Sequence, residues 1–177
     1  LQAGLGPVVV VTGFRAADVE SALRGLAVKI IENGEWMNGQ SASIKKGISF
    51  LNTSPKSTGF GGGREGVGSA IFLLADQPQI PIEVIRTLRD LHSQTMSPII
   101  APLVMEERRA NPVLFDRDTF PDLMQLTGDV GGRAIFDKYK VEYLPWHDEN
   151  LLFDVDTKED YEKLTRRLLR QKNAVSQ

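Results

Sequence analysis

The chain has 177 residues, 41% hydrophobic and 25% charged, with a formal net charge of -2 and no cysteine. That length suits one packed domain, the charge balance excludes a broad nucleic-acid or anionic-membrane footprint, and the lack of thiols excludes disulfides, a thiolate nucleophile and Cys-based zinc. No apolar run reaches the roughly 18 residues of a spanning helix and no signal-peptide pattern opens the chain, so a cytoplasmic protein with a small-molecule ligand is expected.

The β-branched run Val8–Val11 predicts a first strand ending at Thr12-Gly13, and the spacing of Val19, Leu23 and Leu26 predicts a helix from Ala16 to Leu26. The start at Leu1, a few residues before that strand, leads us to expect a fragment or a chain whose first residues are missing. Val28, Ile30 and Ile31 read as a second strand. Asn33-Gly34 turns the chain into Glu35-Trp36-Met37-Asn38-Gly39-Gln40-Ser41, and Ser41 or Ser43 opens a helix running to about Leu51. Residues 52–68, rich in Gly, Ser, Thr and Pro, read as a flexible insertion loop. Gly59 to Gly63 within it lacks the lysine and spacing of a P-loop.

Ile71-Phe72-Leu73-Leu74-Ala75 predicts a buried strand that delivers Asp76 to the carboxyl edge of a sheet, where open α/β sheets bind ligands. Pro78 stops that strand, and Pro81 starts a helix with Ile82, Ile85, Leu88 and Leu91 on its buried face. Further strands are predicted at Ile99–Leu103, Val113–Phe115, Val141–Leu144 and Leu151–Phe153, and helices at Phe120–Leu126 and Gly132–Tyr139. Thr157 caps a last helix with Asp160 three residues on. The alternation argues for an α/β domain with a mainly parallel sheet.

Asp76 at a strand end suits a hard cation such as Mg²⁺ shared with substrate phosphates; otherwise it caps the next helix or closes a turn. Asp154-Val155-Asp156-Thr157 repeats the arrangement, because alternation places Asp154 and Asp156 on one face as a second carboxylate station. The competing reading is that Asp156 only caps the final helix with Thr157. Carboxylates from two strand ends, completed by phosphate and water, are the usual way a phosphoryl-transfer site holds Mg²⁺.

Gly128-Asp129-Val130-Gly131-Gly132-Arg133 opens a predicted helix and offers N–H groups and a guanidinium to an anion, or else it is an ordinary glycine-rich turn. Asn111, held extended before Pro112, offers an amide to a ligand. The amides, hydroxyls and tryptophan of Asn33–Ser43 suit the hydrogen-bonding edge of a base, although a tryptophan such as Trp36 is more often core. His92 at a helix end and His147 in a polar loop carry no catalytic signal.

Taken in order, NGEWMNGQSASIKKGI, LLADQP, NPVLFD, TGDVGGRAIF and LLFDVDTKEDYEKL resemble the molybdenum cofactor cytidylyltransferases and the wider MobA-like nucleotidyltransferase family. The resemblance spans nearly the whole chain, with residues 52–68 the least matched. It implies a single domain over residues 1–177 with a Rossmann-like, three-layer nucleotide-diphospho-sugar transferase fold. Mg²⁺ or Mn²⁺ and a nucleoside triphosphate, CTP or GTP, would sit at the carboxyl edge of its sheet.

The resemblance further implies that a phosphate on molybdopterin attacks the α-phosphorus, so that CMP or GMP is transferred and pyrophosphate released. A molybdoenzyme or its chaperone would be a partner. By the same resemblance Asp76 and Asp156 are the catalytic, metal-binding carboxylates, with Asp154 in reserve. Asn38, Gly39, Gln40 and Ser41 would approach base and ribose, and Asn111 and the Gly128–Arg133 turn, with Gly131 and Arg133, would face the acceptor.

One departure stands out. The family's LAAGxSxRMGxxK loop, which holds the triphosphate, has no counterpart here, and Leu1–Gly6 resembles the end of the helix that follows it. The strand before that loop belongs in the middle of the family's sheet, so phosphate binding and turnover by the chain as it stands are both expected to be impaired. Two alternatives accompany this reading: a sugar- or polyol-phosphate nucleotidyltransferase of the same fold, and a non-catalytic nucleotide- or cofactor-binding module.

Overall fold

The computed structural model describes residues 2–53 and 66–175, so most of the expected insertion loop, 54–65, lies outside the described residues. Strands β1 (Val9–Thr12) and β2 (Lys29–Glu32) pair in parallel, with Val9 opposite Lys29 and Thr12 opposite Glu32. Between them α1 spans only Ala16–Ala22 and buries no residue. The apolar spacing up to Leu26 therefore faces no core, and the helix stops four residues short of the expected end. Helix α2 (Gln40–Thr53) lies against β1, where a Cβ on Gly47 would reach ordinary contact with the Val11 side chain.

The remaining strands, β3 (Ser69–Phe72), β4 (Ile99–Val104), β5 (Arg108–Arg109), β6 (Val113–Asp116) and β7 (Val141–Trp146), form one sheet. Its path is β3-β6-β4-β5, with β7 on the other side of β4. β6 runs antiparallel to both β3 and β4, and β7 is parallel to β4. β3, β4 and β7 therefore point the same way, which is the expected mainly parallel character, with β6 and the short β5 running against them.

Alternation along the strands separates two cores. Ile99 and Ala101 of β4 join Val113 and Phe115 of β6 on one face, under Ile48 and Leu51 of α2 and Phe120 and Leu123 of α4 (Phe120–Leu123). Ile100, Val104 and Leu114 face the other way, against Val84 and Leu88 of α3 (Ile82–Thr95). Helices on both faces of a sheet make the three-layer α/β arrangement. His92, near the end of α3, reaches back to β6, where its Nε2 lies 2.9 Å from Asp116 Oδ2; the two side chains are only 12% and 14% exposed.

Three segments differ locally from expectation. β3 ends at Phe72, opposite Val113, because the next partner along β6 is Pro112, which has no N–H for the ladder. Asp76 consequently sits in a turn beyond the strand. Gly132–Lys138 is a 3₁₀ helix. The run expected as a strand at Leu151–Phe153 belongs to a 3₁₀ turn, Glu149–Leu152, in which the Asp148 carboxylate accepts from the Asn150 N–H at 2.9 Å. The last helix, α5 (Lys158–Val175), starts as expected: Thr157 Oγ1 accepts from the Asp160 N–H at 3.1 Å while Asp160 Oδ2 accepts from the Thr157 N–H at 3.2 Å.

Candidate active site

The two carboxylate stations, far apart in sequence, are fastened together. The Val155 N–H donates to the Asp76 carbonyl at 2.8 Å, so Asp154 and Asp156 flank the residue bonded to Asp76. Val155 is half-buried and its two acidic neighbours are exposed, as alternation predicts. Gln77 is buried and donates its side-chain amide to Asp154 Oδ1 at 2.5 Å. Gln79 donates in the same way to the carbonyls of Asn150, at 3.1 Å, and Phe153. Two glutamine amides and one backbone bond thus clamp the 149–155 segment onto the turn after β3.

Asp76 Oδ1 is buried without a hydrogen-bond partner. Burial first, then the charge of Asp154, and more weakly that of Asp156, push the Asp76 carboxyl above its ordinary value, against a lowering backbone hydrogen bond. A carboxylate in this position gains from a positive neighbour. Asp156 is not needed as a cap, since Thr157 and Asp160 serve the helix between them. Among the described residues no three carboxylate or imidazole side chains gather closely enough to hold an ion unaided.

The second pair of segments brought together is 38–41 and 128–131. Ser41 Oγ donates to the Gly128 carbonyl at 2.7 Å, and the Gln40 N–H donates to Asp129 Oδ1 at 3.1 Å. The contact requires glycine. Gly39 has φ +90°, and a Cβ there would stand 2.5 Å from the backbone of Asp129. A Cβ on Gly131 would stand 2.6 Å from Gln40 Oε1. Asn38 and Gln40 are exposed at this seam, while Ser41 is buried in it.

Nearby, Asn33 is buried: its N–H donates to the Thr12 carbonyl at 2.7 Å and its side-chain amide to Ser43 Oγ at 3.1 Å. Trp36 is not core. It is 40% exposed and its ring lies 5.4 Å from that of Phe14, over Gly13.

Arg133 stands on the 128–133 turn with its side chain exposed; partial loss of hydration first, then the charge of Arg109, lower its guanidinium from the ordinary value, against a raising influence of Asp154. Asn111 is half-buried between β5 and β6, with a cis peptide to Pro112, and among the described residues no hydrogen bond ties it to the carboxylates or to the 128–133 turn. Three residues of this region carried no mark in the sequence reading: Gln77, Gln79 and Arg109. The signal for the glutamines was present, two amides directly after a strand-end aspartate. Nothing local distinguishes Arg109 from any exposed arginine.

Comparison with known proteins identifies the family and the fold. The MobA-like NTP transferase domain profile matches residues 1–143. No curated protein sequence matches the chain. Among solved structures, Rv0371c from Mycobacterium tuberculosis superposes with a TM-score of 0.69 at 23% identity, covering 92% of this chain and 77% of that one. The same protein has been solved in complex with manganese, with a TM-score of 0.67 at 22% identity over 92% and 80% of the two chains. A nucleotidyl transferase from Methanothermobacter thermautotroptrophicus gives 0.71 at 19% identity, over 96% and 76%. Molybdopterin-guanine dinucleotide biosynthesis protein A from Archaeoglobus fulgidus gives 0.64 at 14% identity, over 92% and 78%. At these identities the superpositions speak for the fold.

Proposed function

This chain belongs to the MobA-like NTP transferase domain family and is a nucleotidyltransferase, and from that premise we propose that it moves CMP or GMP from a nucleoside triphosphate to the phosphate of molybdopterin. In this reading an acceptor phosphate oxygen bonds to the α-phosphorus, the bond to the β-phosphate oxygen breaks, and pyrophosphate leaves. Asp76 and Asp156 hold Mg²⁺ or Mn²⁺, with Asp154 as the further carboxylate. The observation that carries it is the buried, unpartnered Oδ1 of Asp76, whose backbone carbonyl is bonded by the N–H of Val155 between Asp154 and Asp156, hard oxygens whose ion shell phosphate and water would complete. The manganese complex of the mycobacterial structure supports a divalent ion in this fold.

When bound, the ion neutralises phosphate charge as a Lewis acid. The chain itself positions. Gln77 fixes the Asp154 carboxylate, the seam of Asn38, Gly39, Gln40 and Ser41 presents amides to base and ribose, and Arg133, Gly131 and Asn111 line the acceptor side. Holding two phosphates in reacting geometry accounts for most of the catalysis in phosphoryl chemistry, without a covalent enzyme intermediate. We place the reaction in the cytoplasm, with a molybdoenzyme or its chaperone receiving the product. Among the described residues no helix is long and apolar enough to cross a membrane.

The test is product identity. The protein is incubated with molybdopterin, Mg²⁺ and CTP or GTP, and the products are weighed by mass spectrometry. A pterin carrying one added nucleotide is expected. Transfer to sugar or polyol phosphates and none to the pterin contradicts the assignment.

A further inference from the structure

Two arginines outside the carboxylate cluster make no salt bridge among the described residues. The guanidinium carbon of Arg109 lies 5.8 Å from the ring centres of both Phe136 and Tyr143. Arg133 precedes Phe136 by three residues on the 3₁₀ helix Gly132–Lys138, and residues three apart on a 3₁₀ helix share a face. The turn that carries Arg133 therefore also supplies one of the two rings beneath Arg109. Their charges register on each other: after shielding from water, the neighbouring Arg109 is the next cause lowering the Arg133 pKa.

Both side chains are exposed, and among the described residues neither makes a salt bridge or a hydrogen bond. Like charges held close and unpaired are unfavourable until an anion lies between them. Arg109 is also held in place, through pairing with Leu103 of β4 and by the two rings beneath its guanidinium. A planar fork fixed this way suits bidentate recognition of phosphate oxygens.

We propose that Arg109 and Arg133 form a two-cation clamp for a substrate phosphate group. The clamp rests on the nucleotidyl-transfer reading above and adds Arg109 to the site. Its ligand chemistry is a phosphate dianion, supplied either by the monoester of the acceptor or by the triphosphate of the nucleotide.

Inorganic phosphate, and separately CTP with Mn²⁺, are titrated calorimetrically into the wild type, Arg109→Gln, Arg133→Gln and Arg109→Lys. Loss of a charged hydrogen-bonding partner is expected to weaken phosphate binding by about tenfold or more in both Gln variants. The Lys variant, which keeps the charge and loses the fork, retains part of the affinity. CTP binding that stays unchanged assigns the clamp to the acceptor phosphate; CTP binding that falls in parallel assigns it to the nucleotide, and either supports the clamp. Phosphate and CTP affinities unchanged in both Gln variants overturn it, as does a wild type that binds neither. A wild type that binds phosphate with the expected dependence on the two arginines, yet does not bind CTP with Mn²⁺, leaves the clamp standing and defeats the nucleotide reading instead.

Discussion

Gln77 donates its side-chain amide to Asp154, 77 residues further along the chain, at 2.5 Å. This bond joins the turn after β3 to the turn before α5 and orients one oxygen of Asp154. Partners that orient a metal-binding carboxylate typically matter by about 10–100-fold in metal affinity. Gln77→Ala is accordingly expected to weaken Mn²⁺ binding in the presence of CTP by at least about tenfold, read by isothermal titration. Mn²⁺ affinity equal to wild type would show that the bond is packing alone.

Asp76 is held above the ordinary carboxylate range by burial and by its acidic neighbours. A carboxyl whose folded pKa is raised contributes stability that is fully present below its unfolded pKa and lost as pH rises through the folded value. At neutral pH without metal its charge therefore works against folding. Asp76→Asn should raise the melting temperature of the metal-free protein by up to about 3 °C, an advantage that disappears at acid pH. Added Mn²⁺ with nucleotide should stabilise the wild type and not the variant. An Asn variant that melts lower at pH 7 would contradict this electrostatic account.

Gly39 combines a φ of +90° with an absent Cβ that would stand 2.5 Å from the backbone of Asp129. Gly39→Ala must then strain the turn and push the 128–131 segment away from Ser41. A cost of about 1–3 kcal/mol is expected in urea unfolding, with weaker CTP and GTP binding. Gly34→Ala, at a position where a Cβ meets nothing within 4 Å, serves as the control with little change.

Tyr139 donates its hydroxyl to Asp122 Oδ2 at 2.6 Å, and that bond is the main cause raising its phenol to about 12. Because the folded value lies above the ordinary 10.0, the stabilisation is complete below about pH 10 and is lost between pH 10 and 12. Tyr139→Phe should cost at most about 1 kcal/mol at neutral pH and nothing once pH passes the folded value. In an absorbance titration one of the three tyrosines should ionise near 12.

The parts of this molecule that are local in sequence were legible in it. The β-branched run of β1, the capping pair Thr157 and Asp160 and the alternation of Asp154 and Asp156 each depend on residues a few positions apart. The segments Asn38–Ser41 and Gly128–Arg133 stood out in the sequence as two separate patches. Their contact was not, since Ser41 meets Gly128 across 87 residues and only the fold brings them together. Arg109 was hidden for the same reason: its neighbours Phe136 and Tyr143 reach it through β5 pairing on β4. α1 shows the opposite error, helical spacing that finds no core to bury against.

The most direct test of metal-dependent transfer on Asp76 and Asp156 is pyrophosphate release from CTP or GTP with molybdopterin and Mg²⁺ or Mn²⁺. It is measured for the wild type, Asp76→Asn and Asp156→Asn. The account predicts release by the wild type and a loss of about a hundredfold or more in each variant, with melting and far-ultraviolet dichroism retained. Release at the wild-type rate in both variants would contradict it.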